Sequence, residues 1–329
     1  MTCLFVSAAA QSPLPKATEQ PATLDERLGA DDGAALAILI SANLRGNLNL
    51  CDCTHPRGGL ARRIGYLEAF KKKFKETPVL QVEAGFFWYN SMAFDRLVTL
   101  QNDQVTTAYS RWPMDVINLG RFDLPYARRL FAREGLAERT ARWPMMKNIV
   151  SANGEFAANM DAPPAYIIKE VTGPRIKGKK NKLRIGFVGL AEPVKTNDGM
   201  MDATVKNMHE AAQRVVPLAR KNCDVLVIVA HSEIEGAMKL ALENPEADIV
   251  IAGNAEGLFK PRQVGNTMVI SAAPGNIQQG DLRVYLDKDG RASFKYISTD
   301  LDSAVPADPA ALAYAEAAQR ELERARFNH

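Results

Sequence analysis

Uniformly apolar runs of strand length alternate with amphipathic stretches along most of this chain. Ala37-Ile-Leu-Ile-Ser-Ala-Asn43 is mostly apolar up to a polar end, as a strand buried on both faces would be. From Gly58 to Glu76 the apolar positions Leu60, Ile64, Leu67, Phe70 and Phe74 recur every three or four residues, which predicts a helix. Lys71 to Lys73 and Lys75 then fall in its last turns, where they favour the helix dipole. Further strands are predicted at Pro78–Gly85, Asp115–Gly120 and Asn148–Asn153, with helices at Met92–Ser110 and Pro125–Glu134. Tyr166–Val171 and Leu183–Leu190 read as a hairpin pair. The second half repeats the alternation: helix Asp202–Lys221, strand Asp224–His231, helix Glu233–Glu243, strand Asp248–Asn254. After that the period falls to two. Gln263-Val264 and Thr267–Ala272 flank a Gly265-Asn266 turn, and Asp281–Leu286 and Arg291–Ser298 flank Asp287 to Gly290, so two hairpins are expected. Asp308-Pro309 opens a final helix, with Asp as cap and Pro at the first position, that runs to about Arg326.

Strand–helix units followed by antiparallel hairpins imply mixed sheets, and fully apolar strands need cover on both faces. The predicted class is α/β with mixed pairing, as a four-layer αββα sandwich of two mixed sheets flanked by helices. A single doubly wound sheet is the alternative, weakened by the terminal hairpins. The 329 residues are 47% hydrophobic and 24% charged, with 41 Lys+Arg against 38 Asp+Glu. This composition excludes wholesale disorder and fibrous repeats, and a net charge of +3 is not a nucleic-acid-binding signature. No apolar run reaches the roughly 18 residues of a membrane span. Residues 1–33 read as leader and linker outside the core, 34–304 as one domain, and 305–329 as a C-terminal helix packed on it or extending from it. Met1–Ala10 has the apolar, small-residue rear half of a secretory signal without the basic start. Two readings stay open: a truncated signal with an extracytoplasmic (periplasmic or secreted) location, or a plain N-terminal tail of a cytoplasmic protein.

Five of the predicted strands end in polar or glycine-containing turns. These are Asn43-Leu-Arg45-Gly46-Asn47, Glu83-Ala-Gly85-Phe86, Gly120-Arg121-Phe122-Asp123, His231-Ser-Glu233 and Gly253-Asn254-Ala-Glu256. In α/β folds, ligand sites gather at the carboxyl ends of strands. The order and spacing of these turns, with Gly58-Gly-Leu-Ala-Arg-Arg63 after the first, resemble the calcineurin-like metallophosphoesterases, in particular their 5′-nucleotidase (UshA-like) branch. The resemblance runs from about Ala37 to Asp300. It implies the metallophosphoesterase fold and phosphoester hydrolysis at two metal ions held by side chains of those turns.

Carried over residue by residue, the ligand positions are Asn43, Arg45, Phe86, Arg121, His231, Asn254 and Glu256. Phe122 stands where the family has its catalytic His, and Asp123 keeps the place of that residue's partner. Only His231 keeps its ligand type. A phenyl ring does not coordinate a cation, and two guanidiniums facing dications repel them in a low-dielectric cleft. The expectation is a degenerate site without the dinuclear centre or two-metal hydrolysis. A residual hydrolase with one metal at His231, Glu256 and Asp123 is one alternative, and a non-catalytic binding or assembly module is the other. Arg45 and Arg121 either pair with Glu83, Asp123 or Glu256 and hold the loops, or offer a cleft to a small anionic ligand such as phosphate or sulfate. The aromatic run from Phe86 to Tyr89 either fills the space of the lost metals or makes a stacking wall.

Cys51-Asp-Cys53-Thr-His55 lies between the first turn and the Gly58-Gly59 helix start. Three uses are open to a C-x-C pair: a local, reducible disulfide, two thiolates for a single soft metal with His55 or His231, or two uncoupled thiols. Arg57, Arg62, Arg63 and the helix start would lower a thiol pKa. The surrounding segment resembles an UshA-like (seleno)protein group in which selenocysteine stands at the second Cys position. That resemblance implies Cys53 as the reactive position, Cys51 as its partner, and a redox partner such as a c-type cytochrome. Cys223, just before an apolar strand, is expected to be a buried core thiol, and Cys3 part of the leader.

Overall fold

The structure, a computed structural model, describes residues 22–51, 54–89, 96–176, 181–193, 204–255, 260–272 and 277–327. In chain order the elements are α1 (Leu24–Leu28), β1 (Leu36–Ser41), α2 (Leu60–Lys73), β2 (Val79–Glu83), α3 (Arg96–Arg111), β3 (Val116–Asn118), α4 (Leu124–Leu130), α5 (Leu136–Arg142), β4 (Ile149–Val150), β5 (Tyr166–Val171), β6 (Leu183–Ala191), α6 (Met208–Arg220), β7 (Val225–His231), α7 (Ile234–Glu243), β8 (Ile249–Ala252), β9 (Arg262–Val264), β10 (Thr267–Ser271), β11 (Gln278–Leu286), β12 (Ala292–Asp300) and α8 (Pro309–Phe327).

Among the described residues the strands form two six-stranded sheets. The first has the order β12-β11-β1-β2-β3-β4. Its strands β1 to β4 are parallel, and the β11–β12 hairpin joins β1 antiparallel. The second has the order β5-β6-β7-β8-β10-β9, parallel from β6 to β10, with β5 and β9 antiparallel at its edges. Both sheets are mixed, as the change from strand–helix units to hairpins predicts.

Alternate residues of a strand face opposite ways, and here both ways are buried. Ile38, Ile40, Val82 and Val116 of the first sheet meet Ile185, Phe187, Val227 and Ile251 of the second. On the outer side of β1, Ala37 and Leu39 pack on Tyr66, Leu67 and Phe70 of α2. On the outer side of the second sheet, Leu190, Leu226, Ile228 and Val250 pack with α6 and α7. The result is the αββα sandwich. Helix α8 packs against α2 and α3. There Tyr314 OH donates to Gln104 O, and Gln104 Nε2 donates to Ala318 O. No helix among the described residues is long and apolar enough to cross a membrane.

Three expectations need correction. Residues 22–33, read as linker outside the core, are tied to it. Thr23 and Glu26 form a reciprocal cap that starts α1, and Leu24 and Leu28 are buried beside Phe70 and Phe74. Asp32 then accepts from Arg283, Tyr285 and Lys295. The helix expected over Pro125–Glu134 stops at Leu130, because Ala132 pairs with Met160 instead. The helix expected from Asp202 starts at Met208, where the Asn207 side chain caps the amides of His209 and Glu210.

Candidate functional site

The turns after β1, β2, β3, β7 and β8 converge, as parallel strands of a two-sheet core require. Their backbones are laced together: Asn43 N–H donates to Gly85 O at 2.9 Å, Arg45 N–H to Phe86 O at 3.0 Å and Gly46 N–H to Phe87 O at 2.9 Å. Asn43 Nδ2 donates to Gly253 O at 2.7 Å, across to the other sheet. The contact is close enough to demand glycine at two positions. A Cβ on Gly120 would lie 2.8 Å from Cγ of His231, and one on Gly85 would lie 3.0 Å from Cβ of His231.

Asn43, Arg45 and Phe86 all have left-handed backbones, with φ of 60°, 52° and 57°. Asn tolerates this region, whereas side chains such as Arg and Phe pay about 1–2 kcal/mol for it. Only four non-glycine residues among those described have positive φ, and three of them are in this cluster. The turn geometry is therefore imposed by the surrounding lacing rather than by Arg45 and Phe86 themselves.

Asp123 explains part of that lacing. It is buried at the end of the 3-10 turn before α4, and its carboxylate accepts four backbone N–H groups. Oδ2 takes Phe86 at 2.6 Å and Gly120 at 2.8 Å; Oδ1 takes Phe87 and Trp88 at 3.0 Å each. A carboxylate offers about four lone-pair sites, so none remains for a metal ion or an arginine. Burial pushes its pKa up to about 7, against the pull of the N–H donors.

His231 ends β7 and is 3% exposed. Its Nε2 lies 3.2 Å from Asn43 Oδ1. Asn43 uses its amide NH2 on Gly253, so its oxygen faces the imidazole, and Nε2 is the protonated nitrogen that donates to it. Burial first, then the Arg121 and Arg45 charges, lower the His231 pKa to about 3. The imidazole is neutral at any ordinary pH.

Two aromatic rings stand over it. Phe86 and Phe122 have ring centroids 4.5 Å apart, and each meets His231 edge-on, at 6.1 and 6.4 Å. A guanidinium sits over each ring in turn: Arg45 Cζ is 5.2 Å from the Phe86 centroid and Arg121 Cζ is 3.9 Å from that of Phe122. Such stacking is worth about 0.5–2 kcal/mol per pair. Phe87 and Trp88 point the other way, into the core under α3, where Trp88 Nε1 donates to Thr106. Tyr89 is exposed. Of the aromatic run, only Phe86 therefore belongs to the cluster, together with Phe122.

Behind the cluster lies a buried network that the sequence reading did not assemble. Glu83 Oε2 accepts from Ser41 Oγ at 2.8 Å and Tyr109 OH at 2.7 Å, and Arg63 Nη1 lies 3.6 Å away. Burial pushes the Glu83 carboxyl and the Tyr109 phenol up. Glu83 is thus committed to Arg63 and Asp123 to backbone, which removes two of the three carboxylates expected to pair with Arg45 and Arg121. The third, Glu256, lies outside the described residues. Asn254 follows β8, and its N–H donates to Ser232 O. Asn118 was also missed: its Nδ2 donates to Ala84 O at 3.3 Å and to Leu190 O of the second sheet at 2.8 Å. The one signal for it was a polar residue at the end of an apolar strand.

Among the described residues of this set, few donors are left for divalent cations. The Asp123 lone pairs are taken, Asn43 Oδ1 is held by an imidazole N–H, and phenyl and guanidinium groups fill three further positions. Among the described residues no three of His, Cys, Asp and Glu come together as a metal-binding group.

The cysteine loop lies at the entrance to α2. Cys51 is disulfide-bonded. Cys223 is free and buried, and burial raises its thiol pKa. The partner of Cys51 is therefore Cys3 or Cys53, both outside the described residues. Cys51 N–H donates to Arg57 O at 2.9 Å, and Arg57 N–H donates to Cys51 Sγ at 3.2 Å. A cavity of about 680 Å³ opens beside this loop, bounded by Leu50, His55, Arg57, Arg62, Asp302 and Ser303 among others. None of Arg45, Phe86, Arg121 and His231 lines it.

No family model matches the chain. By sequence it is 24% identical over 146 residues to the trifunctional nucleotide phosphoesterase protein YfkN of Bacillus subtilis, a match that covers 39% of this chain and 10% of that protein. By structure it resembles a 5′-nucleotidase precursor from Thermus thermophilus, with a TM-score of 0.67 at 18% identity over 88% of this chain and 59% of the other. It also resembles the calcineurin-like phosphoesterase YfkN from Bacillus subtilis, with a TM-score of 0.65 at 18% identity over 89% of this chain and 99% of the solved one. The chain thus spans only a small part of the full YfkN protein and somewhat over half of the solved nucleotidase.

Proposed function

We propose that this chain, which has the calcineurin-like phosphoesterase fold in its 5′-nucleotidase form, does not carry out two-metal hydrolysis and binds a small oxyanion between Arg45 and Arg121. The observation that carries this reading is the pair of guanidiniums stacked on Phe86 and Phe122, at positions where the resemblance expects metal ligands. Stacking engages the flat face of a guanidinium, and its in-plane N–H groups are the donors that meet phosphate or sulfate. Two fixed positive charges over a neutral imidazole favour an anion where a dinuclear centre would favour the same phosphoryl oxygens. Phe122 has no proton to give a leaving group, so the bound anion would not be turned over by the family's route.

A second element of the proposal is a redox-active Cys51–Cys53 disulfide. It is supported by the bonded state of Cys51 and by the two-residue spacing, which places Cys53 nearest to it in sequence. A disulfide also fits an oxidising, extracytoplasmic location.

The test is direct. Purified protein is expected to hold no stoichiometric metal and to show no phosphodiesterase activity with added manganese or zinc. Phosphate or sulfate is expected to bind by titration calorimetry, with binding lost in Arg45→Ala and Arg121→Ala. Tight metal with activity would sink the reading in favour of a residual hydrolase with one metal at His231, Glu256 and Asp123. Absence of anion binding would favour a non-catalytic assembly module.

A further inference from the structure

The segment from Phe86 to Tyr89 is fixed by buried side chains. Asp123 accepts the N–H groups of Phe86, Phe87 and Trp88, and Asn102 Oδ1 accepts that of Tyr89 at 2.7 Å. Asn102 Nδ2 donates back to Tyr89 O at 3.2 Å, so one buried amide closes on both sides of Tyr89. Thr106 Oγ1, which donates to Asn102 O, also accepts from Trp88 Nε1. Three of the four aromatic side chains are packed: Phe86 against Phe122, and Phe87 and Trp88 against each other in the core. The fourth, Tyr89, is 45% exposed. It starts beside the Arg45 turn. Gly46 follows Arg45, and a Cβ there would lie 2.7 Å from Tyr89 Cβ and 3.1 Å from Tyr89 N. Gln101 Nε2 donates to Gly46 O from the side. An exposed aromatic is ordinary on its own. One whose backbone is clamped by buried side chains, next to a guanidinium-bearing turn, is a preorganised contact, because its ring gives up little freedom when a ligand lies on it.

We propose that Tyr89 is a ligand-contact residue of the oxyanion site, and that the ligand is an aryl oxyanion: its charged end is held by the guanidiniums and its flat ring lies against Tyr89. This rests on the oxyanion reading above and names the class of ligand. Inorganic phosphate or sulfate would meet the guanidiniums and leave the Tyr89 ring in water. An oxyanion attached to a ring uses both features. Its oxygens take the in-plane N–H groups of Arg45, and its ring extends to the wall beside that turn. A flat ring suits this wall better than an aliphatic one, because two π systems gain from offset or edge-on contact beyond the area they bury. Gly46 sets the separation of the two features, since any larger residue there meets Tyr89.

The experiment titrates the full chain by calorimetry with inorganic phosphate, phenyl phosphate and cyclohexyl phosphate. The readout is each ester's affinity divided by that of inorganic phosphate, a ratio that cancels any general loss of binding. Phenyl phosphate is expected to bind about fivefold tighter than inorganic phosphate, and cyclohexyl phosphate less than about twofold tighter. Tyr89→Phe keeps the ring and should keep the phenyl ratio. Tyr89→Ala should bring it near one. A phenyl ratio near one in the wild type, a ratio that survives in Tyr89→Ala, or a cyclohexyl ratio equal to the phenyl one overturns this inference. Binding of inorganic phosphate that is lost in Arg45→Ala would then leave the oxyanion reading standing. No binding of any of the three ligands overturns both.

Discussion

Lowering the pH should weaken the fold through one identifiable side chain. His231 is neutral in the folded chain, with a pKa lowered to about 3 from 6.5. In the unfolded chain it takes up a proton as pH falls through 6.5, while in the folded chain it does not. The unfolded state then binds more protons, so stability is fully present above pH 6.5 and is lost as pH falls toward the folded value. Working the linkage between about pH 7.5 and about pH 4 gives a loss of roughly 3 kcal/mol from this residue alone. Asp123 and Glu83 run the opposite way in the same window, because burial raises their pKa values in the folded state. The raw curve therefore sums opposing contributions, and the readout is a difference. Urea denaturation followed by tryptophan fluorescence, on wild type and on His231→Gln at both pH values, isolates it. Gln keeps an N–H donor for Asn43 but does not titrate. The variant is expected to be less stable at neutral pH, through lost ring contacts, yet to have lost that share of the acid sensitivity. Equal pH dependence in the two proteins would refute the assignment of a neutral, charge-repelled imidazole.

Other substitutions test the packing around it. Asp123→Ala strips four buried N–H groups of their acceptor and should cost on the order of 4 kcal/mol by urea denaturation; a loss below about 1 kcal/mol would contradict the clasp. Gly120→Ala forces a methyl against the His231 ring and is expected to cost about 1–3 kcal/mol in the same assay, although its backbone angle suits any residue. Glu83→Gln leaves Arg63 charged and buried beside a neutral amide, with an expected loss of about 3–5 kcal/mol. Tyr109→Phe removes one donor from the same carboxylate and should cost about 1 kcal/mol, so the ratio of the two losses checks which group carries the charge.

The sequence made the layers legible because burial on both faces leaves a continuous apolar run, and the strands at Ile38, Val227 and Ile251 each show one. It also made the order of the converging turns legible, since turns at strand ends occur in order along the chain. What it could not convey was commitment. Glu83, Asp123 and Glu256 look alike as possible partners for arginine, and only three-dimensional placement reveals that Asp123 is spent on four amides and Glu83 on Arg63 and Tyr109. The same holds for the aromatic run, where neighbouring residues split between the cluster and the core under α3. The N-terminal stretch misled for a related reason. Its few apolar residues, Leu24 and Leu28, show no long periodicity, yet both find a place against Phe70 and Phe74.

The hydrogen bonds of Asn43 and Asn118 have a mechanical meaning. Contact between the two sheets is almost wholly aliphatic, and such contact opposes separation more than sliding, because dispersion has no preferred direction. Asn43 to Gly253, His231 to Asn43 and Asn118 to Leu190 are directional, and all three cross from one sheet to the other at the carboxyl ends of the strands. They set the offset of the sheets at that end, as dowels set two plates. A ligand held over Phe86 and Phe122 would rest on a base that cannot slip without breaking buried hydrogen bonds. Its affinity would then be decided by local contacts, with little free energy spent on moving one sheet against the other.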